Sequence, residues 1–157
     1  MKIEKLQFKQ REALFNIIDN INLFNSEEKD CAKELIDITL NNPQQTDYYI
    51  NVLNENEKTI GYYCCGQRSL TKHTWDLYWI VVDKNEQNKG FGSILLKDAE
   101  DFIIKNNGKL LLIETSSQPI YHPTVKFYLK NNYTINSRIK NFYKDEDDLI
   151  ILTKQLR

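Results

Sequence analysis

The segment Gln87-Asn88-Lys89-Gly90-Phe91-Gly92 joins polar side chains, one basic charge and two glycines. It follows the apolar run Leu77-Tyr78-Trp79-Ile80-Val81-Val82 and opens a stretch whose apolar residues recur at helical spacing. Strand, glycine loop and helix in that order make an anion site. A helix N-terminus presents unpaired amides and a partial positive charge, and glycines let a phosphate approach backbone that carries no Cβ. Lys89 adds a full charge beside them. Two other phosphate loops are excluded by spacing. A Walker loop needs Gly-Lys-Ser/Thr, whereas Lys89 precedes its glycine, and a dinucleotide fingerprint needs a third glycine where Leu95 stands. The remaining structural alternative is a tight turn before a helix.

The elements that position this loop follow from periodicity. Residues 2–8 read as a short first strand, residues 12–24 as a helix, and Ser26 as the cap of a second helix with Glu27 and Glu28 in its first turn. Residues 48–53 and 59–67 flank a polar connection and read as a hairpin, followed by a strand over 76–82. Residues 92–107 form an amphipathic helix with Ile94, Leu95, Ala99, Phe102 and Ile103 on one face and Gly108 as terminator. Leu110-Leu111-Leu112-Ile113 reads as a strand covered on both faces. Pro123 lies near the start of a short helix ending about Asn131, and 133–140 and 149–154 read as closing strands.

Composition limits the function. The chain has 157 residues, enough for one domain, with 41% hydrophobic and 27% charged residues, as in ordinary globular proteins. Its 21 basic and 22 acidic residues give no global field toward nucleic acid or an anionic membrane. Cys31, Cys64 and Cys65 are odd in number, and adjacent residues on a strand face opposite ways, so neither a disulfide framework nor a metal site is expected. The first residues lack the apolar run of a signal peptide, and no stretch approaches the about 20 apolar residues that span a bilayer. A cytoplasmic location is expected.

The pattern Gln87-x-x-Gly90-x-Gly92 resembles the Gln/Arg-x-x-Gly-x-Gly/Ala motif of the GNAT superfamily of acyl-CoA N-acyltransferases. Phe127-Tyr128 followed by Asn131-Asn132-Tyr133 is similar to that family's Phe-Tyr-x-x-x-Gly-Phe/Tyr segment, which also follows the next strand. The resemblance covers residues 48–152, and the first helices match in type. Asn132 stands where the family has glycine, a mild departure because asparagine tolerates a left-handed conformation. Tyr121 stands where many members have a cofactor-contacting asparagine.

The resemblance implies an α/β fold over residues 1–157, a single N-acetyltransferase domain with a mixed, mostly antiparallel sheet of about six or seven strands flanked by helices. It implies acetyl-CoA as acyl donor and direct attack by a primary amine of a small molecule or peptide in a ternary complex. The alternative is a non-catalytic acyl-CoA-binding or regulatory module of the same fold. The pyrophosphate falls to Gln87, Asn88, Lys89, Gly90, Phe91, Gly92 and Ser93. The pantetheine arm lies between splayed strands, with backbone from Ile80, Val81 and Val82 and one amide, Val81 or Val82, as oxyanion donor. Tyr128 is the family's acid for the leaving thiolate, whereas by spacing it could be a core aromatic with Val125 and Leu129. Asp76 and Glu114 are candidate bases, with His122 behind them, and an ion pair is the structural alternative for Glu114. Trp75, Tyr78, Trp79, Tyr121, Phe142 and Tyr143 could line an acceptor pocket. The run Asp145-Glu146-Asp147-Asp148 could attract a cationic amine, although acidic runs are usually solvated turns. No metal, nucleic acid or membrane partner is implied, and a homodimer is left open.

Overall fold

The computed structural model describes every residue from Met1 to Arg157. Its strands are β1 (Lys2–Lys5), β2 (Tyr49–Glu55), β3 (Lys58–Gln67), β4 (Thr74–Val82), β5 (Leu110–Ser116), β6 (Thr134–Lys144) and β7 (Asp147–Gln155). They form one sheet in the order β1-β2-β3-β4-β5-β7-β6. The helices are α1 (Arg11–Asp19), α2 (Ser26–Asn41), α3 (Phe91–Lys105) and α4 (His122–Lys130). β4 and β5 run parallel because α3 lies between them as a crossover; β2–β3 and β6–β7 are antiparallel neighbours joined by short turns. The expected α/β class with a mixed, mostly antiparallel sheet is therefore the observed one.

Backbone contacts group the chain into two compact units. The first comprises Met1–Gly66 and Tyr78–Phe102. In it Leu14, Ile17 and Ile18 of α1 and Ala32, Leu35 and Ile36 of α2 are spaced to form one apolar stripe per helix, and they bury it with Ile50, Val52, Tyr62 and Val81. Arg11 bridges α1 to α2 through a two-pronged pair with Asp37, at 2.6 and 2.9 Å. The start of the chain departs from its sequence pattern. β1 stops at Lys5, and Gln7 and Gln10 cap each other around a single 3-10 turn that includes Phe8. α1 ends at Asp19, and Asn25, not Ser26, caps α2, its side chain accepting from the Glu28 amide at 2.8 Å. Gly61 of β3 is required by a neighbour: a Cβ there would lie 2.2 Å from the Val81 carbonyl oxygen of β4.

α3 is fixed by a buried polar contact as well as by Leu95, Leu96 and Ala99. The Tyr63 hydroxyl accepts from Asn51 Nδ2 at 2.6 Å and donates to Asp98 Oδ2 at 2.9 Å, joining β2, β3 and α3. Burial pushes the Tyr63 phenol well up, so it remains a donor at any working pH.

The second unit comprises Gln67–Leu77 and Ile103–Arg157. Its buried residues include Leu77, Ile103, Leu111, Ile113, Tyr133, Leu149 and Leu152. The two faces of β5 are not covered alike: Leu111 and Ile113 on one are buried, while Leu110 and Leu112 on the other are half-buried. Trp75, a candidate pocket residue by sequence, is 3% exposed and lies in the core against Gly108. α3 ends with Asn107 at φ 64° in the left-handed region, so Asn107 turns the chain and Gly108 contributes its amide to the Ile103 carbonyl at 2.9 Å. α4 ends in the same way. Asn132 has φ 68°, the left-handed conformation that glycine supplies in the family, and the Tyr133 amide donates to the Tyr128 carbonyl.

The acidic run divides. Asp145 and Glu146 are exposed in the turn, but Asp147 and Asp148 are buried and partnered. Asp147 accepts from Ser116 Oγ at 2.5 Å; Asp148 accepts from the Asn141 amide at 2.9 Å and from Arg138 at 2.6 Å, which holds its carboxyl below the usual carboxylate range. Half of the run is therefore part of the β6–β7 framework.

Tyr63→Phe keeps the ring and removes the oxygen that joins Asn51 to Asp98. The expected loss is about 1–3 kcal/mol of unfolding free energy, measured by urea denaturation with an unchanged slope.

Candidate active site

The loop between β4 and α3 is built by short-range polar contacts. The Asp83 amide donates to the Ile60 carbonyl at 2.8 Å, and the Asp83 side chain accepts from the Asn85 amide at 2.9 Å. Gln87 Nε2 donates to the Val82 carbonyl at 3.2 Å, which fixes the first residue of the motif to the end of β4. Asn88 has φ 62° and Gly90 φ 87°, so the chain makes two left-handed turns before entering α3 at Phe91. Around Gly90 no other group lies within 4 Å of where a Cβ would stand. Glycine at 90 is thus demanded by its dihedral angle and not by crowding.

At Gly90 the Ile94 amide makes an α-helical bond to the carbonyl at 3.2 Å, so the preceding amides of the first turn point out of the helix end. Lys89 is exposed beside them, with Nζ 2.7 Å from Glu86 Oε2. Lys58, the first residue of β3, reaches the other oxygen of the same carboxylate at 2.6 Å. Lys58 first, then Lys89, holds Glu86 down to about 2. An exposed helix start, an open approach and an ammonium group suit the pyrophosphate of a CoA thioester. The predicted loop residues are thus brought together in one place, with Ser93 exposed in the first turn of α3.

In the second unit, Arg68 gathers the two candidate bases. Its Nη1 lies 2.7 Å from Asp76 Oδ1 and 3.3 Å from Glu114 Oε1. Burial raises the Asp76 carboxyl above its ordinary range, outweighing the opposite pull of Arg68, and Glu114 adds to the rise. No motif in the sequence marks Arg68, which stands 46 positions from Glu114. The demand of an acidic residue within an apolar strand for a cation was the available signal.

Tyr128 is 5% exposed and packs edge-on against Phe127 and Tyr133, with ring centroids 5.0 and 5.5 Å away. Burial pushes its phenol up, which keeps it protonated. His122 is exposed at the start of α4, and His73 Nδ1 lies 3.0 Å from the Asn107 carbonyl oxygen. Among the remaining candidate pocket aromatics, Tyr78 meets Tyr48 and Trp79 meets Phe24, whereas Phe142 and Tyr143 are half-exposed against each other.

The profile of the acetyltransferase (GNAT) family matches residues 12–133. The chain belongs to the GNAT acetyltransferase family. As a member it is an acetyltransferase, and the acyl donor of the family is acetyl-CoA. Among solved structures it is similar to a protein assigned to the GNAT family from Desulfovibrio desulfuricans, at 29% identity over 99% of both chains and a TM-score of 0.95. It shares the fold of the aminoglycoside 6'-N-acetyltransferase of Enterococcus faecium, at 14% identity, 99% and 97% coverage and a TM-score of 0.78. It also shares that of the ribosomal-protein-S18-alanine N-acetyltransferase of Escherichia coli, at 20% identity, 99% and 93% coverage and a TM-score of 0.76. No curated protein matches it by sequence. No helix of this GNAT protein is long and apolar enough to cross a membrane.

Gly90→Ala separates the dihedral requirement from crowding. Because nothing meets the new methyl, its cost comes from φ 87° and is expected to be about 1–2 kcal/mol in stability. Calorimetry on the folded variant is expected to show weaker CoA binding as the loop relaxes.

Proposed function

We propose that the protein transfers acetyl from acetyl-CoA to a primary amine of a small molecule or peptide by direct attack, as one N-acetyltransferase domain over residues 1–157. The observation that carries this reading is the loop before α3, with Gly90 in a left-handed turn, Lys89 beside the helix start and the Gln87 side chain anchored to β4. Acetyl-CoA supplies an acetyl group activated as a thioester. The first-turn amides of α3, with Lys89, hold the pyrophosphate, and residues 87–93 form the rest of its cradle. Backbone of Ile80, Val81 and Val82 orients the pantetheine arm, and the Val81 or Val82 amide donates to the acetyl carbonyl oxygen as charge develops there. Gly61 supports this strand, since the space of its missing side chain is taken by the Val81 carbonyl.

Tyr128 Oη, which burial keeps protonated, gives its proton to the departing sulfur; the same burial makes it a weaker acid, so its effect on the rate falls toward the low end of what a positioned proton donor supplies. Asp76, whose carboxyl is raised by burial, takes the proton of the incoming amine; Arg68 and Glu114 set how basic it is. Two carboxylates against one guanidinium leave a net negative charge, which favours a neutral or cationic amine over an anionic acceptor. A cytoplasmic location goes with the use of acetyl-CoA.

The test is release of free CoA thiol from acetyl-CoA across a panel of amines. Turnover confined to anionic acceptors would contradict the acceptor class. Tyr128→Phe is expected to lower the transfer rate about 10²- to 10⁴-fold with little change in acetyl-CoA affinity; a folded variant at the wild-type rate, with chemistry limiting, would remove Tyr128 from the reaction. The pH profile tests Asp76. Activity is expected to fall as pH drops through a limb above the ordinary aspartate value of about 3.9. Arg68→Gln removes the charge that favours the ionised form, so the limb is expected to move to higher pH; an unmoved limb would assign it to another group.

A further inference from the structure

We propose that Glu86 is an internal counter-anion of the cofactor loop: it holds Lys58 and Lys89 and yields Lys89 to the pyrophosphate when the cofactor binds. This rests on the assignment of residues 87–93 to the pyrophosphate. Both oxygens of one carboxylate are used, each by a different lysine, at 2.6 and 2.7 Å. The carboxylate is the shielded member, 15% exposed, whereas the Lys58 and Lys89 side chains are 52% and 55% exposed. An ammonium group on a flexible four-carbon stem can swing to a new partner, while Glu86 follows directly on the Asp83–Asn85 turn that anchors its backbone. Asp83 lies 4.0 Å from Lys58 and gives that lysine, which stays on Glu86, a second acid.

A pyrophosphate bound at the start of α3 brings negative charge close to Lys89, whose ammonium lies 2.7 Å from Glu86. Glu86 therefore opposes the cofactor in two ways, by repelling the phosphates and by competing for Lys89. A loop shaped only for affinity would do better without it. A transferase must also release CoA at the end of each cycle, and an anion built into the loop lowers the affinity that has to be broken.

The experiment is calorimetric titration of CoA into the wild type, Glu86→Gln and Glu86→Ala at low and moderate salt. Both variants are expected to bind CoA about 3- to 10-fold more tightly, and the gap is expected to narrow as salt rises. Lys89→Ala is expected to cost more affinity in the Glu86→Gln background than alone, because that lysine is no longer shared. Equal or weaker binding by both folded Glu86 variants would overturn the proposal and make Glu86 a support for the lysines. Gly92→Val separates the two assignments. If Gly92→Val and Lys89→Ala weaken CoA binding while the Glu86 variants do not tighten it, only the role of Glu86 fails. If neither weakens it, the pyrophosphate assignment fails and the role of Glu86 with it.

Discussion

A helix can hold a phosphate only if its first amides face the ligand and the chain leading into it stays out of the way. In this protein left-handed turns at Asn88 and Gly90 lead the chain into α3, and the proposed pyrophosphate site depends on them. Gly90 has open space around it, so the constraint is angular, and a side chain there would strain the turn that aims the amides. The rest of the first unit fixes the helix behind those amides. Leu95, Leu96 and Ala99 bury one face of α3, and Tyr63 holds Asp98 from β3. At the other end of the loop, Gln87 and Asp83 tie the chain to β4 and β3 through backbone carbonyls. Backbone contacts thus set the position and orientation of the loop, while Lys58 and Lys89 sit on Glu86 at its exposed surface.

In the second unit burial shifts two ionisable groups, Tyr128 and Asp76. In the proposed reaction Tyr128 holds a proton and Asp76 takes one. Burial moves both in the same direction on the pH scale, and the outcomes differ because a phenol begins near 10 and a carboxylate near 4. Arg68 limits the rise of Asp76 by charge, and Glu114 offsets part of that effect. Protonation of Asp76 is therefore a balance between burial and two neighbouring side chains.

Features encoded in consecutive residues were legible in the sequence. The strand-loop-helix around Gly90, the amphipathic face of α3 and the second family segment at Phe127-Tyr128 all lie within a few turns of chain, and the α/β class followed from them. Features that depend on distant partners were not. Arg68 lies in a loop and acquires meaning only when β4 and β5 pair and bring Asp76 and Glu114 to it. Lys58 opens a strand that ends before the loop begins, yet its ammonium shares Glu86 with Lys89. Trp75 looked available for a pocket because alternation assigns a face without saying what covers it; the turn at Gly108 covers it. The run at 145–148 suggested an attractor for a cationic amine, with a solvated turn as the alternative, but Asp147 pairs with Ser116 and Asp148 with Arg138. Asn25 displaced Ser26 as cap because either residue type can accept from the first-turn amides, and the helix start decides between them.

The most direct test of the account is an amide titration. Two-dimensional nitrogen–proton spectra of the labelled protein, recorded as CoA is added, report each backbone donor separately. The account predicts that the amides of Gly90, Phe91, Gly92 and Ser93 shift strongly and become protected from exchange as CoA saturates. Saturable CoA binding that leaves those four amides unmoved would contradict it, because the anion would then be held elsewhere.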